Sequence, residues 1–221
     1  MRLLTMQMLE NVSLDALNTF GLAAVARFYV EVDTEEECRA VLQSDIAAAL
    51  PVVVLGGGII GVMTALYLAR AGQKVVLCEK GRIAGEQSSR NWGWIRQQGR
   101  DLAELPIMVE SLSIWKTLAQ EFGDALGFRQ EGVLYLAKTE KEIAGFEDWL
   151  VHARAHGLDT HLLGAGAVAE RVKGAEKAWK GGLFTPSDAR AEPWAAVSLL
   201  AQGAVARGAV IVEGCAVRRL D

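Results

Sequence analysis

The residues whose types and spacing could do chemistry begin at a run of glycines. Gly56, Gly58 and Gly61 stand at GxGxxG spacing directly after Val52 to Leu55, a short β-branched stretch suited to a strand buried on both faces. Each glycine has its own use. Gly56 permits a tight turn out of the strand, Gly58 lets the backbone approach a pyrophosphate, and Gly61 lets the next helix pack closely on the sheet. The phosphates would rest on free N–H groups at the positive end of that helix. Glu79, closing a second apolar run from Lys74 to Cys78, stands where a carboxylate accepts hydrogen bonds from an adenosine ribose. Ser88, Ser89 and Arg90 follow in a polar loop, with two hydroxyls and a guanidinium suited to phosphate oxygens.

The elements that must position these groups form a βαβ unit: strand Val52 to Leu55, helix Val62 to Ala71 stopped by Gly72, and strand Lys74 to Cys78. The stretch from Ile46 to Ala69 carries no charge and is long enough for a bilayer span, but Pro51 and three consecutive glycines interrupt it. No integral membrane span is expected. A net charge of −4 without a basic stripe argues against nucleic acid, and 51% hydrophobic residues describe a globular chain. The three cysteines are odd in number and widely spaced, which suits reduced thiols and a cytoplasmic location.

Upstream, Arg27 to Val32 reads as a strand and Thr34 to Ser44 as a helix opened by a threonine and three acids. These make a second βαβ unit that shares the central strand. A right-handed crossover would set Arg27 to Val32 parallel to Val52 to Leu55, in the sheet order Ala209 to Glu213, Lys74 to Cys78, Val52 to Leu55, Arg27 to Val32. The N-terminal text, with its NTFG element and acid-rich helix start, resembles the beginning of UDP-N-acetylenolpyruvoylglucosamine reductase as far as Gly58. None of that family's substrate-reducing residues is found here.

From Val52 onward, VVVLGGGIIGVMTALYLARAGQKVVLCEK, GEQSSRNWGWIRQQGRDLAELP and GLFTPSDARAEPW resemble the FAD-dependent D-amino-acid oxidase and glycine oxidase family. The long loop from Gly81 to Asp101, where a nicotinamide domain would soon turn into a helix, independently favours FAD over NAD. The expected fold is α/β, a Rossmann-like FAD-binding parallel sheet, truncated, and interrupted by a partial α+β substrate domain. Its parts are a segment over 1–50, the FAD-binding domain over 51–101 and 187–221, and the substrate domain over 102–186.

The resemblance implies cofactor contacts from Gly56, Gly58, Ile59, Ile60, Gly61, Glu79, Lys80, Ser88, Ser89, Arg90 and Trp92. It also implies a contact from Val217, on a strand whose backbone would meet the adenine. Arg96 would face the reacting centre as the catalytic candidate, favouring reduced flavin or holding a substrate carboxylate. The implied activity oxidises the C–N bond of an amino acid or amine by hydride transfer to flavin, the imine then hydrolysing in water. The relatives are far longer, so a non-catalytic fused or truncated flavin-binding fragment stands as the alternative, and a fragment of the reductase as a third. His152 and His156, spaced i, i+4 with His161 beyond, have no HExxH pattern or paired cysteines beside them and read as solvent-facing rather than metal-ligating.

Overall fold

The computed structural model describes residues 7–13, 25–174 and 178–218, the side chains at 47 and 48 excepted. The chain divides into two compact units, Met1–Ser89 with Leu200–Asp221, and Arg90–Leu199.

The first unit holds a three-stranded parallel sheet in the order β10-β4-β3, built from β3 (Val52–Leu55), β4 (Val75–Cys78) and β10 (Val210–Val212). Val53 lies opposite Val76, and Val76 opposite Val210, so the three strands are in step. Between β3 and β4 runs α3 (Ile59–Arg70), which buries Val62, Ala65, Leu66 and Ala69 at helical spacing. Fully burying a leucine contributes about 1.5–3 kcal/mol, so Leu66, with no exposed surface, is a principal anchor of this helix. Gly72, at φ +78°, ends the turn after α3 in the left-handed region.

The N-terminal strand does not join that sheet. Among the described residues β2 (Val25–Tyr29) pairs with β1 (Leu9–Ser13) as an antiparallel ladder, Leu9 opposite Tyr29 and Ser13 opposite Val25. Among the described residues β3 pairs with β4 alone, so the expected parallel partnership of Arg27 to Val32 with Val52 to Leu55 is wrong. The physical reason is local: a neighbouring strand in sequence offers antiparallel pairing with little loop to close, and it outcompetes a crossover. The NTFG element, at 18–21, lies outside the described residues. The expected helix is present as α1 (Glu35–Leu42), with Thr34 and Glu37 forming a reciprocal capping box, and α2 (Asp45–Ala49) follows.

In the second unit β5 (Trp94–Ile95) meets β9 (Ala189–Arg190), and α4 (Leu105–Phe122) lies between them in sequence. A three-stranded antiparallel sheet, β6-β8-β7, comprises β6 (Val133–Ala137), β7 (His161–Gly164) and β8 (Gly181–Thr185). α5 (Glu140–Ala155), capped by Thr139 and Glu142, buries Leu150 and Ala153 in a cluster with Leu183 of β8. α6 (Ala165–Arg171) follows β7, and the division between the units falls within α7 (Pro193–Ala206), which precedes β10. No helix among the described residues is long and apolar enough to cross a membrane.

Candidate functional site

In the first unit the glycine loop is shaped by contacts that no side chain could share. A Cβ on Gly61 would stand 1.9 Å from the carbonyl oxygen of Gly56, so α3 approaches the end of β3 backbone to backbone. Gly56 itself sits at φ +101°, a conformation that L side chains rarely adopt. A Cβ on Gly58 would lie 2.9 Å from Oγ of Ser88, and that hydroxyl accepts the N–H of Ile59 at 2.9 Å. The loop after β4 is thereby laced to the first turn of α3. Ile60 and Gly61 follow Ile59 in that turn, where N–H groups have no intrahelical acceptor. The side chain of Ile60 is exposed.

Glu79 is buried at the end of β4, and its two oxygens are both engaged by backbone. Oε2 accepts from Gly57 N–H and Oε1 from Gly81 N–H, each at 2.6 Å. Sequence reasoning expected this carboxylate to face a ribose; in the structure it also fastens the glycine loop to the loop that follows β4. Each carboxylate oxygen keeps a further lone pair for a sugar hydroxyl. Ala84 N–H donates to Gly57 O at 2.9 Å, and Glu213 Oε1 accepts from Ile83 N–H at 2.6 Å, so three segments are tied around this point.

Beside it opens a cavity of about 220 Å³ lined by Leu55, Gly56, Cys78, Glu79, Lys80, Cys215, Ala216 and Val217. Four of the residues singled out from sequence, Gly56, Glu79, Lys80 and Val217, therefore meet on one surface. Val217 lies beyond β10 in an irregular segment and not on a strand. The ammonium of Lys80 is 4.0 Å from Glu86 and exposed, and Ser89 Oγ donates to Glu86 O at 3.1 Å. Glycine-only close approaches, a helix start whose N-cap Gly58 supplies no side-chain cap, a buried acid and an adjoining cavity fit the diphosphate and adenosine end of FAD.

The second unit contains a separate polar constellation. Arg96 donates through one Nη1 to the carbonyl oxygen of Gln98 and to the hydroxyl of Tyr135. Its guanidinium lies 5.7 Å from the ring centre of Trp94 and 5.8 Å from that of Tyr135. Trp92 and Trp94 meet edge to face at 5.6 Å, and Trp92 is 81% exposed. Arg90 is exposed as well.

Hydrogen bonds lead from Arg96 through Gln98 to Asp188, which lies in the GLFTPSDARAEPW run but has no site role assigned from sequence. It has no exposed surface, and it accepts from the backbone N–H groups of Gln97 at 2.7 Å and Gln98 at 3.1 Å. Burial pushes its carboxyl above the ordinary carboxylate value, against the opposing pull of those N–H groups. Gln98 Oε1 accepts from Thr185, whose hydroxyl is 2.7 Å from that of Thr160. The buried Nε2 of Gln98 meets no acceptor among the described residues. These bonds span about ninety residues of sequence, and a short turn containing an aspartate is too common a pattern to disclose them.

The histidines are placed otherwise. His156 Nδ1 lies 3.0 Å from the carbonyl oxygen of His152, and His161 Nδ1 lies 3.1 Å from that of Asp159. No group of three or more potential metal ligands occurs among the described residues.

Comparison with known proteins agrees with this geometry. Sarcosine dehydrogenase of Mus musculus is 27% identical over 170 residues, covering 75% of this chain and 18% of that protein. Among solved structures, L-proline dehydrogenase from P. horikoshii is 31% identical with a TM-score of 0.68, over 73% of this chain and 43% of its own. Glycine oxidase from Geobacillus kaustophilus is 26% identical with a TM-score of 0.67, over 73% and 46%. The chain thus spans less than half the length of these relatives. A shorter likeness, 32% over 107 residues, joins 43% of this chain to 32% of the UDP-N-acetylenolpyruvoylglucosamine reductase of Pseudomonas putida. The family model for FAD dependent oxidoreductases matches residues 51–221, and the chain belongs to that family.

Proposed function

We infer that the chain carries the FAD-holding part of an oxidoreductase that removes hydride from the carbon next to the nitrogen of an amino acid or amine. The observation that carries this reading is the cradle in which Gly58, Ser88 and the first turn of α3 converge beside Glu79. When bound, FAD supplies the acceptor for the hydride. The chain's own residues bind and orient. Backbone N–H groups at the start of α3 hold the diphosphate, and Glu79 takes ribose hydroxyls on the lone pairs its backbone bonds leave. Lys80 and Val217 border the adenosine cavity. Ser89 extends the contacts along the cofactor, and Ile59 and Ile60 contribute through their backbone.

Arg96 is the anchor for a substrate carboxylate. Its stacking between Trp94 and Tyr135, with one Nη1 spent on Gln98 and Tyr135, holds the guanidinium fixed while other N–H groups can form a paired contact with a carboxylate. The relatives named for sarcosine, L-proline and glycine support a small amino-acid substrate. A second reading, flavin binding without turnover, is favoured by the outer edge of β3, where Val53 and Leu55 are exposed.

Anaerobic addition of sarcosine, L-proline or glycine to the FAD-loaded chain separates the two. Bleaching of the flavin absorption, slowed at least tenfold in Arg96→Ala by a loss of about 1.4 kcal/mol, supports the oxidoreductase. Stable flavin bands with every substrate would leave binding alone.

A further inference from the structure

Cys78 ends β4, and its partner in the adjacent strand register is Val212 of β10. Three residues beyond Val212 the chain has folded back: Gly214, at φ +64°, donates its N–H to Gly81 O at 2.8 Å, and Cys215 donates its N–H to Glu79 O at 2.9 Å. This brings the two cysteines to the same wall of the 220 Å³ cavity, beside Glu79. Neither thiol is fully buried, whereas Cys38, the remaining cysteine, is exposed on α1.

We propose that Cys78 and Cys215 are a redox-active pair, a modification site in which a peroxide converts two thiols on one wall of the nucleotide cavity into a disulfide. Cys215, on the irregular segment after β10, is the sulfur that attacks the peroxide, and Cys78, whose thiol burial pushes up, is the resolving partner. The Cys215 thiolate displaces hydroxide from hydrogen peroxide and becomes a sulfenic acid. Cys78 sulfur then attacks it, the S–O bond breaks, water leaves with the Cys78 proton, and the S–S bond forms. Two thiols lose two electrons and one peroxide gains them. Any displacement needed to close a bond of about 2.05 Å is supplied more readily by the irregular segment after Gly214 than by the strand carrying Cys78.

The pair does not depend on flavin, so the test reads the bond itself. The full chain is treated with hydrogen peroxide, alkylated with iodoacetamide and digested with trypsin before mass analysis. The expected product joins peptide 75–80 to peptide 208–218, two mass units below their sum, with only Cys38 alkylated. Dithiothreitol reverses it, Cys38→Ser retains it, and Cys215→Ser abolishes it while leaving Cys78 open to alkylation. Peroxide-treated chain in which Cys78 and Cys215 are both alkylated, or are linked only to Cys38, would overturn the proposal. Failure to bind FAD in the same sample would bear on the cofactor reading and not on this one.

Discussion

Replacing Gly61 by alanine tests the glycine loop where the geometry is most demanding. The added carbon would stand 1.9 Å from Gly56 O, and reaching even 3.0 Å requires α3 and the end of β3 to part by about 1.1 Å. Overpacking of this kind costs about 1–3 kcal/mol, and here the obstacle is backbone, which cannot rotate away, so the upper end applies. Alanine in a helix interior returns up to about 1 kcal/mol over glycine, leaving a net loss of about 2 kcal/mol. For a chain of this length that lowers the melting temperature by about 4–8 °C. The same displacement spoils the diphosphate cradle, so FAD affinity should fall at least tenfold, about 1.4 kcal/mol. Gly145 supplies the contrast, since it is exposed in α5 with nothing within 4 Å of an added Cβ. Gly145→Ala should stabilise by about 0.5–1 kcal/mol and leave FAD binding unchanged. Thermal melts followed by circular dichroism and flavin fluorescence titrations read both effects. A Gly61→Ala chain that melts with the parent and binds FAD equally well would refute the reasoning.

Glu79→Gln keeps one acceptor oxygen and turns a donor toward either Gly57 or Gly81, so urea unfolding should show a loss of about 1–3 kcal/mol, together with weaker FAD binding. Unchanged stability would mean the two backbone bonds contribute nothing net. Asp188 governs a pH dependence. Its folded pKa is raised by burial, so its stabilisation is fully present below the ordinary carboxylate value of about 3.9 and is lost as pH rises through the folded value. Asp188→Asn cannot titrate, and across that window the parent should lose more stability with rising pH than the variant. Parallel stability curves for the two chains would contradict the shift.

The βαβ unit was legible because its signals are local: the glycine spacing, two β-branched runs and a helix of good formers all lie between Pro51 and Lys80. The order β10-β4-β3 was legible from the doubly wound pattern, in which a helix and an apolar strand late in the chain add to the outer side of β4. The pairing of the N-terminal strand was not legible because β1, whose text is LENVS, has no strong strand pattern to mark it as the partner. β8 was obscured by its own glycines. Glycine has a low strand propensity, yet Gly181 and Gly182 are both required, since a Cβ on either would come within 2.7 Å of a neighbouring strand's carbonyl oxygen. For the site, Gly56, Glu79, Lys80 and Val217, singled out separately along the sequence, line one cavity. Asp188 and Gln98 lie within the two runs that carry the resemblance, but their roles were hidden because these rest on hydrogen bonds across the fold, made by residue types that are common in turns.

The central claim is that the first unit holds the adenosine diphosphate end of FAD, and competition measures it most directly. Flavin fluorescence is followed while the chain is added to FAD, and then ADP or FMN is titrated into the complex. ADP should displace FAD, since the glycine loop, Glu79 and the adjoining cavity are the parts that recognise a diphosphate and an adenosine, whereas FMN at the same concentration should not. Absence of any FAD binding, or displacement by FMN without displacement by ADP, would contradict the account.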